Sequence, residues 1–419
     1  MNPSYRCALL STVASGWFTD LLFACSGLQL SALQPESLGL EGDHNPYRLP
    51  LIERPNAVLL TMDWYMGLAQ RGQADVDRVF NRLRSCSPRI VGLEGFDLFG
   101  LRMPPEALDR VDVVLKAQGV YRDRELYNYE VGPYYPGANW TGKLRRSKRQ
   151  YSPAQLDKIR LSLPCFIGSD REVRRRVRRV KPAISQFQRL ARGFGDWWNA
   201  VETELRHRMP GDPPYTAHCL VALSHVQRLE LLLALKRAGV TGLLGASVVP
   251  EYMWGTERFE DEVPEAERER IRETIRAAGL RLGPMGRNRF KRSILDHKVV
   301  IAPTGYGELT FRHAEAWEQG RALVCQDLSH VETLFPFRDR DNVLYCKPDF
   351  SDLPELLAAV ESGAIDYRKV GRQGRRDWNR WIGDLDAVFE RGVLKHLDEA
   401  VRQPGTLPLP ATELEQVGT

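Results

Sequence analysis

The chain has 419 residues, of which 43% are hydrophobic and 27% are charged, the usage of an ordinary globular protein. This length excludes a single small binding module and favours two or three domains. The 59 Lys and Arg residues exceed the 54 Asp and Glu residues only slightly, so an anionic partner would need local basic patches. Seven dispersed cysteines without a C-x-x-C pair argue against a zinc site and favour a reducing compartment.

The N-terminal residues 7 to 34 are mostly apolar and are open to two interpretations. Asp20 and several Ser and Thr residues argue against a membrane span. The stretch before Cys25 is a poor cleavage or lipidation site. We therefore expect a buried strand and a helix in a cytoplasmic protein, with a targeting segment as the alternative.

Short apolar runs alternate with helical stretches along the chain, which is typical of βαβ units with parallel sheets. In the first half the runs predict strands at 57–62, 89–93, 111–115 and 163–167. Polar or glycine turns follow these runs, and ligands of open α/β sheets bind at the carboxyl ends of the strands. A ligand site of the first half is therefore expected at these turns.

A proline-rich stretch at 209–214 interrupts this pattern and predicts a domain boundary. The second half then predicts strands at 216–223, 242–246, 299–302, 322–325 and 342–346, and helices at 226–238, 264–278, 309–318 and 366–401. The predicted architecture is α/β, with two Rossmann-like domains whose parallel sheets face each other across a cleft. The predicted units are an N-terminal domain 1–205, a second domain 206–385, and a terminal helix and tail 386–419.

The segment 299–327 combines a strand, a glycine turn, a helix and a second strand. Gly305 and Gly307 allow a ligand to approach the backbone closely, and the first turn of the following helix offers free N–H groups to a phosphate. The dinucleotide fingerprint and the Walker loop do not fit this segment. NAD and P-loop chemistry are therefore disfavoured.

The helix that follows the turn carries a row of charged residues. Glu308, Arg312 and Glu315 lie on nearly the same helical face. Taken alone, this row suits a solvated ladder of salt bridges as well as a binding site.

The same segment resembles the donor-binding domain of GT-B glycosyltransferases of the group 1 and exostosin-like type. The resemblance extends over about residues 285–360 and is carried by Pro303, Gly305, Tyr306, Gly307, Glu308, Arg312, Glu315, Ala316 and Gly320. It implies a nucleotide-sugar donor whose diphosphate lies near the turn from Gly305 to Glu308, and whose ribose is held by Glu315. Arg312 would steady Glu315 or reach a phosphate. The fold type requires no metal and no further cofactor, because arginines, lysines and helix dipoles neutralise the diphosphate.

One spacing departs from the pattern of retaining group 1 enzymes, which have two glutamates separated by seven residues. Gly307 stands at the first of these positions, and Glu308 leaves only six residues before Glu315. The departure gives weight to the exostosin-like, inverting version.

Three further residues are candidates on either side of the site. Arg228, near the start of the first helix of the second domain, is a candidate for gripping the diphosphate, with a surface arginine as the alternative. Glu94 and Asp97, which follow the strand at 89–93, are candidate general bases for the acceptor hydroxyl. Asp63 is the alternative base, and each of these carboxylates also suits a helix cap.

Two basic runs stand out, at 143–149 and 171–181. A solvated helix face is one interpretation, and a surface for anionic membrane lipids is another. Nucleic acid is not an expected partner, because the aromatic-basic signatures of RNA-binding modules are absent. The sequence thus predicts a metal-independent hexosyl or related glycosyltransferase of polysaccharide biosynthesis that acts on a glycan, lipid-linked or small-molecule acceptor. The alternative is a non-catalytic GT-B-shaped protein that binds an anionic partner.

Overall fold

A computed structural model gives the fold of the chain. It describes residues 5–11, 17–33, 49–95, 100–129, 146–164, 166–167, 201, 204–205, 211–223, 226–248, 265–305 and 308–402. Within these residues, none of the helices is both long and apolar enough to cross a membrane.

In the residues that are described, the first part of the chain provides eight short strands. They are β1 (Tyr5–Leu10), β2 (Leu28–Leu33), β3 (Leu51–Ile52), β4 (Ala57–Thr61), β5 (Ile90–Glu94), β6 (Val113–Lys116), β7 (Val120–Tyr121) and β8 (Ile159–Leu161). Seven of them form one parallel sheet in the order β3-β2-β1-β4-β5-β6-β8. Both β4 and β5 are buried along their whole length, as expected for central strands that are covered on both faces.

Short helices connect these strands. They are α1 (Trp17–Leu22), α2 (Met62–Ala69), α3 (Gln73–Cys86), α4 (Pro105–Arg110) and α5 (Pro153–Leu156), with a 3-10 turn at Arg124–Asn128. The sequence of α3 shows why it packs on the sheet. Val76, Val79, Phe80 and Leu83 recur at helical spacing, and all four are buried.

The second part of the chain has seven strands among its described residues. They are β9 (Tyr215–Ala222), β10 (Gly242–Ser247), β11 (Arg281–Leu282), β12 (His297–Ile301), β13 (Ala322–Gln326), β14 (Val331–Glu332) and β15 (Leu344–Cys346). Six of them form a second parallel sheet in the order β11-β10-β9-β12-β13-β15. The predicted α/β fold with two Rossmann-like parallel sheets is thereby confirmed.

The helices of this part cover the second sheet and then return to the first. They are α6 (Val226–Arg237), α7 (Glu265–Ala277), α8 (Arg287–Ile294), α9 (Phe311–Glu318), α10 (Leu353–Glu361), α11 (Tyr367–Gly383), α12 (Leu385–Phe389) and α13 (Lys395–Arg402), with a π turn at Glu390–Leu394. Gly239 follows α6 with a φ of 70°, a conformation that stops a helix at little cost for glycine. The hydroxyl of Ser162, the residue after β8, donates to the carbonyl of Gly392 in the π turn (2.7 Å). The π turn therefore contacts the first sheet at β8.

One predicted strand was wrong. The last strand of the first sheet is β8, which pairs with β6, and no strand is found in the described part of 163–167. Pro164 has no N–H to donate to a sheet. The apolar residue Phe166 is buried for a reason other than strand formation. Its ring packs edge-on against Trp317 at a centroid distance of 6.1 Å. By contrast, the predicted N-terminal strand and helix are confirmed as β1 and α1.

The two sheets approach each other at the carboxyl ends of their strands. β7 follows β6 by three residues, β14 follows β13 closely, and the two pair antiparallel, with Val331 opposite Tyr121. An ion pair between Arg124 and Glu332 (3.3 Å) reinforces this contact. The first sheet comes from residues before 162 and the second from residues after 214, while the predicted domain limits stay a prediction.

Candidate functional site

A cavity of about 290 Å³ opens at the carboxyl ends of β9, β10 and β11. Its lining residues are Leu220, Val221, Ala222, Gly245, Ala246, Ser247, Gly283, Pro284, Met285, Phe290, Arg312 and Glu315. The position agrees with the general rule that open parallel sheets bind ligands beyond the carboxyl ends of their strands. Small and apolar residues form most of the wall, and the charged side chains Arg312 and Glu315 lie on one side of it. Such a lining suits a ligand with an apolar ring against the wall and hydroxyl groups next to the two charged side chains.

Arg312 and Glu315 form an ion pair one turn apart on α9. The Arg312 Nη1 atom donates to Oε2 of Glu315, and its Nε atom donates to the carbonyl of Leu220 (3.2 Å). Within the described residues, Oε1 of Glu315 has no hydrogen-bond partner. Because Glu315 lines the cavity, this oxygen is placed to accept a hydrogen bond from a ligand hydroxyl.

The aromatic ring of Phe290 lies under the same arginine. Cζ of Arg312 is 4.0 Å from the centroid of the Phe290 ring, well within the range of a cation–π contact. Phe290 belongs to α8 and is 6% exposed. The guanidinium is therefore held by a ring, a carbonyl and a carboxylate.

The predicted turn begins directly after β12, and Arg228 of α6 lies against it. The Arg228 side chain is buried and donates to the carbonyls of Thr304 (2.9 Å), Ala222 (2.7 Å) and Pro303 (3.0 Å). A Cβ on Gly305 would lie 3.0 Å from Nη2 of Arg228. The arginine thus supports the backbone of the turn and places a positive charge beneath it, while direct contact with a diphosphate stays a prediction.

A Cβ on Gly305 would also lie 3.8 Å from Cγ2 of Thr310, the N-cap residue of α9. The N–H of Thr310 donates to Nδ1 of His313 (3.1 Å), and burial lowers the pKa of His313 to about 4. A neutral His313 can accept this bond at physiological pH in the tautomer that carries its proton on Nε2. Glu308 is buried at the end of the turn. The pKa of Tyr127, from the first part of the chain, is raised mainly by the burial of Tyr127, and the charge of Glu308 raises it further.

Glu94, the candidate general base, lies at the carboxyl end of β5 and is fully buried. Its Oε2 accepts hydrogen bonds from the N–H groups of Met103 (2.9 Å) and Arg102 (3.2 Å), and Oε1 has no partner within the described residues. Burial raises the pKa of this carboxyl, and the charge of Lys116, its neighbour across the sheet, opposes the shift. The carboxylate therefore holds the backbone after β5, and its catalytic role stays a prediction.

Several predicted features lie outside the residues that the structure describes. They are Asp97, Tyr306, Gly307, residues 143–145 of the first basic run and the whole of the second basic run at 171–181. Of the remaining candidates, the structure brings together Arg228 with Gly305, and Arg312 with Glu315. Across the part of the chain that is described, no group of three His, Cys, Asp or Glu side chains is arranged to hold a metal ion.

Sequence reasoning missed the apolar wall of the cavity. Pro284 and Met285 follow the two-residue strand β11, which is too short to give a recognisable pattern. A turn signal was present, because Gly283 and Pro284 form a dipeptide typical of turns. Phe290 gave no signal of its own, since its contact with Arg312 joins residues far apart in the chain.

Neither a model of a known protein family nor a curated protein sequence matches this chain. A glycosyltransferase from Rickettsia africae ESF-5 is a similar solved structure, with 9% identity, a TM-score of 0.48, and coverage of 96% of this chain and 100% of that chain.

Two further solved structures are similar over most of their length. Anabaena HepE in complex with UDP-glucose has 9% identity and a TM-score of 0.42, over 95% of this chain and 98% of that chain. Sucrose-phosphate synthase from Thermosynechococcus elongatus has 12% identity and a TM-score of 0.45, over 94% of this chain and 99% of that chain.

Proposed function

We propose that this protein is a glycosyltransferase that takes a sugar from a nucleotide-sugar donor bound at the second sheet. The observation that carries the proposal is the cavity beyond β9, β10 and β11, with the Arg312 and Glu315 pair on one side. A nucleobase fits the apolar wall, and the ribose hydroxyls donate to Glu315. This arrangement agrees with the GYGELTFRHAEAWEQG segment, which resembles the donor-binding motif of GT-B glycosyltransferases.

The diphosphate would then lie at the turn from Gly305 to Glu308. Backbone N–H groups at the start of α9 and the positive charge of Arg228 both favour an anion there. These groups stabilise the charge that develops on the leaving diphosphate, which is the main electrostatic requirement of glycosyl transfer from such donors. A metal ion is not needed for that task in this proposal.

The acceptor would bind at the carboxyl ends of the first sheet, with Glu94 as the general base for its hydroxyl. Two features of Glu94 support this role. Its Oε1 atom has no partner among the described residues, and burial raises its pKa toward neutral pH, where a general base works best. Because Glu94 is fully buried, neighbouring residues must move before an acceptor reaches it. The acceptor class is a glycan, a lipid-linked sugar or a small-molecule hydroxyl.

We propose in addition that the protein transfers a hexosyl group in polysaccharide biosynthesis, that it is cytoplasmic, and that it contacts an anionic membrane peripherally. The support for the membrane contact is the composition of the two basic runs. Vesicle sedimentation with and without phosphatidylserine tests it, and equal sedimentation on both vesicles would exclude the contact.

A thermal-shift screen against UDP, GDP, CMP, TDP, ADP and their sugars tests the donor site, because a ligand that binds the native state raises its apparent stability. We expect a clear shift from one nucleotide and its sugar. The absence of any shift, together with a shift from anionic lipid or RNA, would favour a non-catalytic protein that binds an anionic partner.

A further inference from the structure

We infer that Phe290 is a positioning residue of this site, which fixes Arg312 and through it the ribose-binding carboxylate of Glu315. The inference rests on the proposed function, because it concerns how the same site recognises the sugar of the nucleotide. Phe290 touches no reacting atom in this account. Its role is to keep the arginine in one orientation.

The Phe290 ring is itself held firmly. The ring of His218, buried in β9, packs edge-on against it at a centroid distance of 5.0 Å and an interplanar angle of 83°. The hydroxyl of Ser293 donates to the carbonyl of Phe290 (2.7 Å) and lies 3.0 Å from Nε2 of His218. A hydrogen bond and a ring contact therefore tie α8 and β9 together behind the cavity.

Arg312 is fixed from two directions by this arrangement. Its guanidinium lies over the Phe290 ring with Cζ 4.0 Å from the centroid, and its Nε atom donates to the carbonyl of Leu220 (3.2 Å). The side chain is 29% exposed, so without the ring below it the guanidinium has room to turn toward solvent. A cation–π contact of this kind shifts the equilibrium between the guanidinium over the ring and the guanidinium turned toward solvent by about twofold to thirtyfold.

The consequence concerns the two oxygens of Glu315. Nη1 of Arg312 donates to Oε2, and Oε1 is left for the ligand. When the guanidinium turns, Oε2 is released and the carboxylate loses its single orientation. The diol of a ribose needs an acceptor that is held in one place, so a ribonucleotide then loses its advantage in affinity over a deoxyribonucleotide.

The experiment measures the preference for ribose over deoxyribose by isothermal titration. The probes are UDP and 2′-deoxy-UDP, with the GDP and ADP pairs used if the wild type binds one of those instead. Phe290→Leu removes the aromatic face while keeping apolar bulk, Phe290→Tyr restores the face, and Phe311→Leu replaces an exposed aromatic residue next to Arg312 as the matched control.

We expect the wild type, F290Y and F311L to prefer the ribonucleotide by the same factor, and F290L to lose at least about fivefold of that preference. In a Glu315→Gln background, F290L should have no further effect on the preference. Equal weakening of both nucleotides by F290L, or an unchanged preference, would overturn the positioning role while leaving the proposed function intact. If the wild type binds no nucleotide, both the proposed function and this inference fail.

Discussion

Arg228 supports the turn at Gly305 from below, with its Nη2 atom 3.0 Å from the point where a Cβ of that glycine would lie. Three carbonyl oxygens from the ends of two neighbouring strands accept hydrogen bonds from the same guanidinium. A planar fork with several donors is needed for this geometry, and a lysine ammonium does not reproduce it. The backbone directly before the proposed phosphate turn, at Pro303 and Thr304, is therefore held by an arginine from another helix.

Arg228→Lys is expected to lower stability by about 1–3 kcal/mol, because buried carbonyls lose their donors. Nucleotide binding should weaken as well, since the turn loses its support. Chemical denaturation and titration with the nucleotide measure the two effects. The control is Arg237→Lys on the exposed side of the same helix, and an equally small effect at both positions would contradict the supporting role.

Glu94→Gln tests the proposed general base. The fold is expected to persist, because burial already favours the uncharged carboxyl and the amide oxygen can accept the same two backbone hydrogen bonds. Transfer should fall at least about 100-fold. Glu106→Gln, at an exposed position of α4, is the control for this assay. Full activity in E94Q would leave Glu94 with only its role in holding the backbone of residues 102 and 103.

The same substitution has a consequence for pH dependence. The folded pKa of Glu94 lies above its ordinary value of 4.5, so the native state holds a proton that the unfolded chain releases. This contribution to stability is complete below pH 4.5 and is lost as pH rises through the folded pKa. We therefore expect the free energy of unfolding of E94Q to gain on that of the wild type as pH rises above 4.5, and parallel curves would argue against the shift.

His218 predicts sensitivity to acid. Burial, with the charges of His297 and Arg312, lowers the pKa of His218 from 6.5 to about 2, so the folded state holds this ring neutral. The folded state then binds fewer protons than the unfolded chain below pH 6.5, and stability falls as pH decreases from 6.5 toward 2. The slope from this residue is up to about 1.4 kcal/mol per pH unit. His218→Gln should flatten the urea-unfolding profile between pH 4 and 6.5, whereas an unchanged slope would exclude His218 as its source.

Two glycines of helix α11 are expected to differ sharply in the stability that is lost when each is replaced by alanine. A Cβ on Gly371 would lie 2.4 Å from the carbonyl oxygen of Gly320, which is backbone and cannot move away easily, whereas a Cβ on Gly383 would meet no atom within 4 Å. Gly371→Ala should therefore destabilise the protein by about 1–3 kcal/mol. Gly383→Ala should change stability by less than about 0.5 kcal/mol. Similar values for the two variants in thermal unfolding would contradict the close packing of α11 on the second sheet.

Local patterns in the sequence predicted most of the second sheet, because most of its strands are short apolar runs next to helices with clear ends. The two-residue strand β11 is not such a run and was not predicted. The helix predicted at 226–238 is found as α6, for example. The strand predicted at 163–167 failed because burial of Phe166 depends on Trp317, a contact between residues far apart in the chain. Periodicity in one segment does not carry that information.

The candidate site shows the same division. The spacing of Arg312 and Glu315 along one helix is visible in the sequence, and the structure shows them paired. The carbonyl partners of Arg228 and the ring of Phe290 belong to other elements, so only the fold reveals them. Sequence therefore predicts contacts within an element well and contacts between elements poorly.

Above all, we propose that the cavity at Glu315 holds the ribose of a nucleotide-sugar donor. Isothermal titration of the wild type and of Glu315→Ala with the nucleotide chosen by the thermal-shift screen tests it most directly, with the exposed Glu273→Ala of α7 as the matched control. We predict saturable binding to the wild type and to E273A, and loss of at least about tenfold in affinity in E315A without a change in its thermal stability. Equal affinity in all three proteins would contradict the claim.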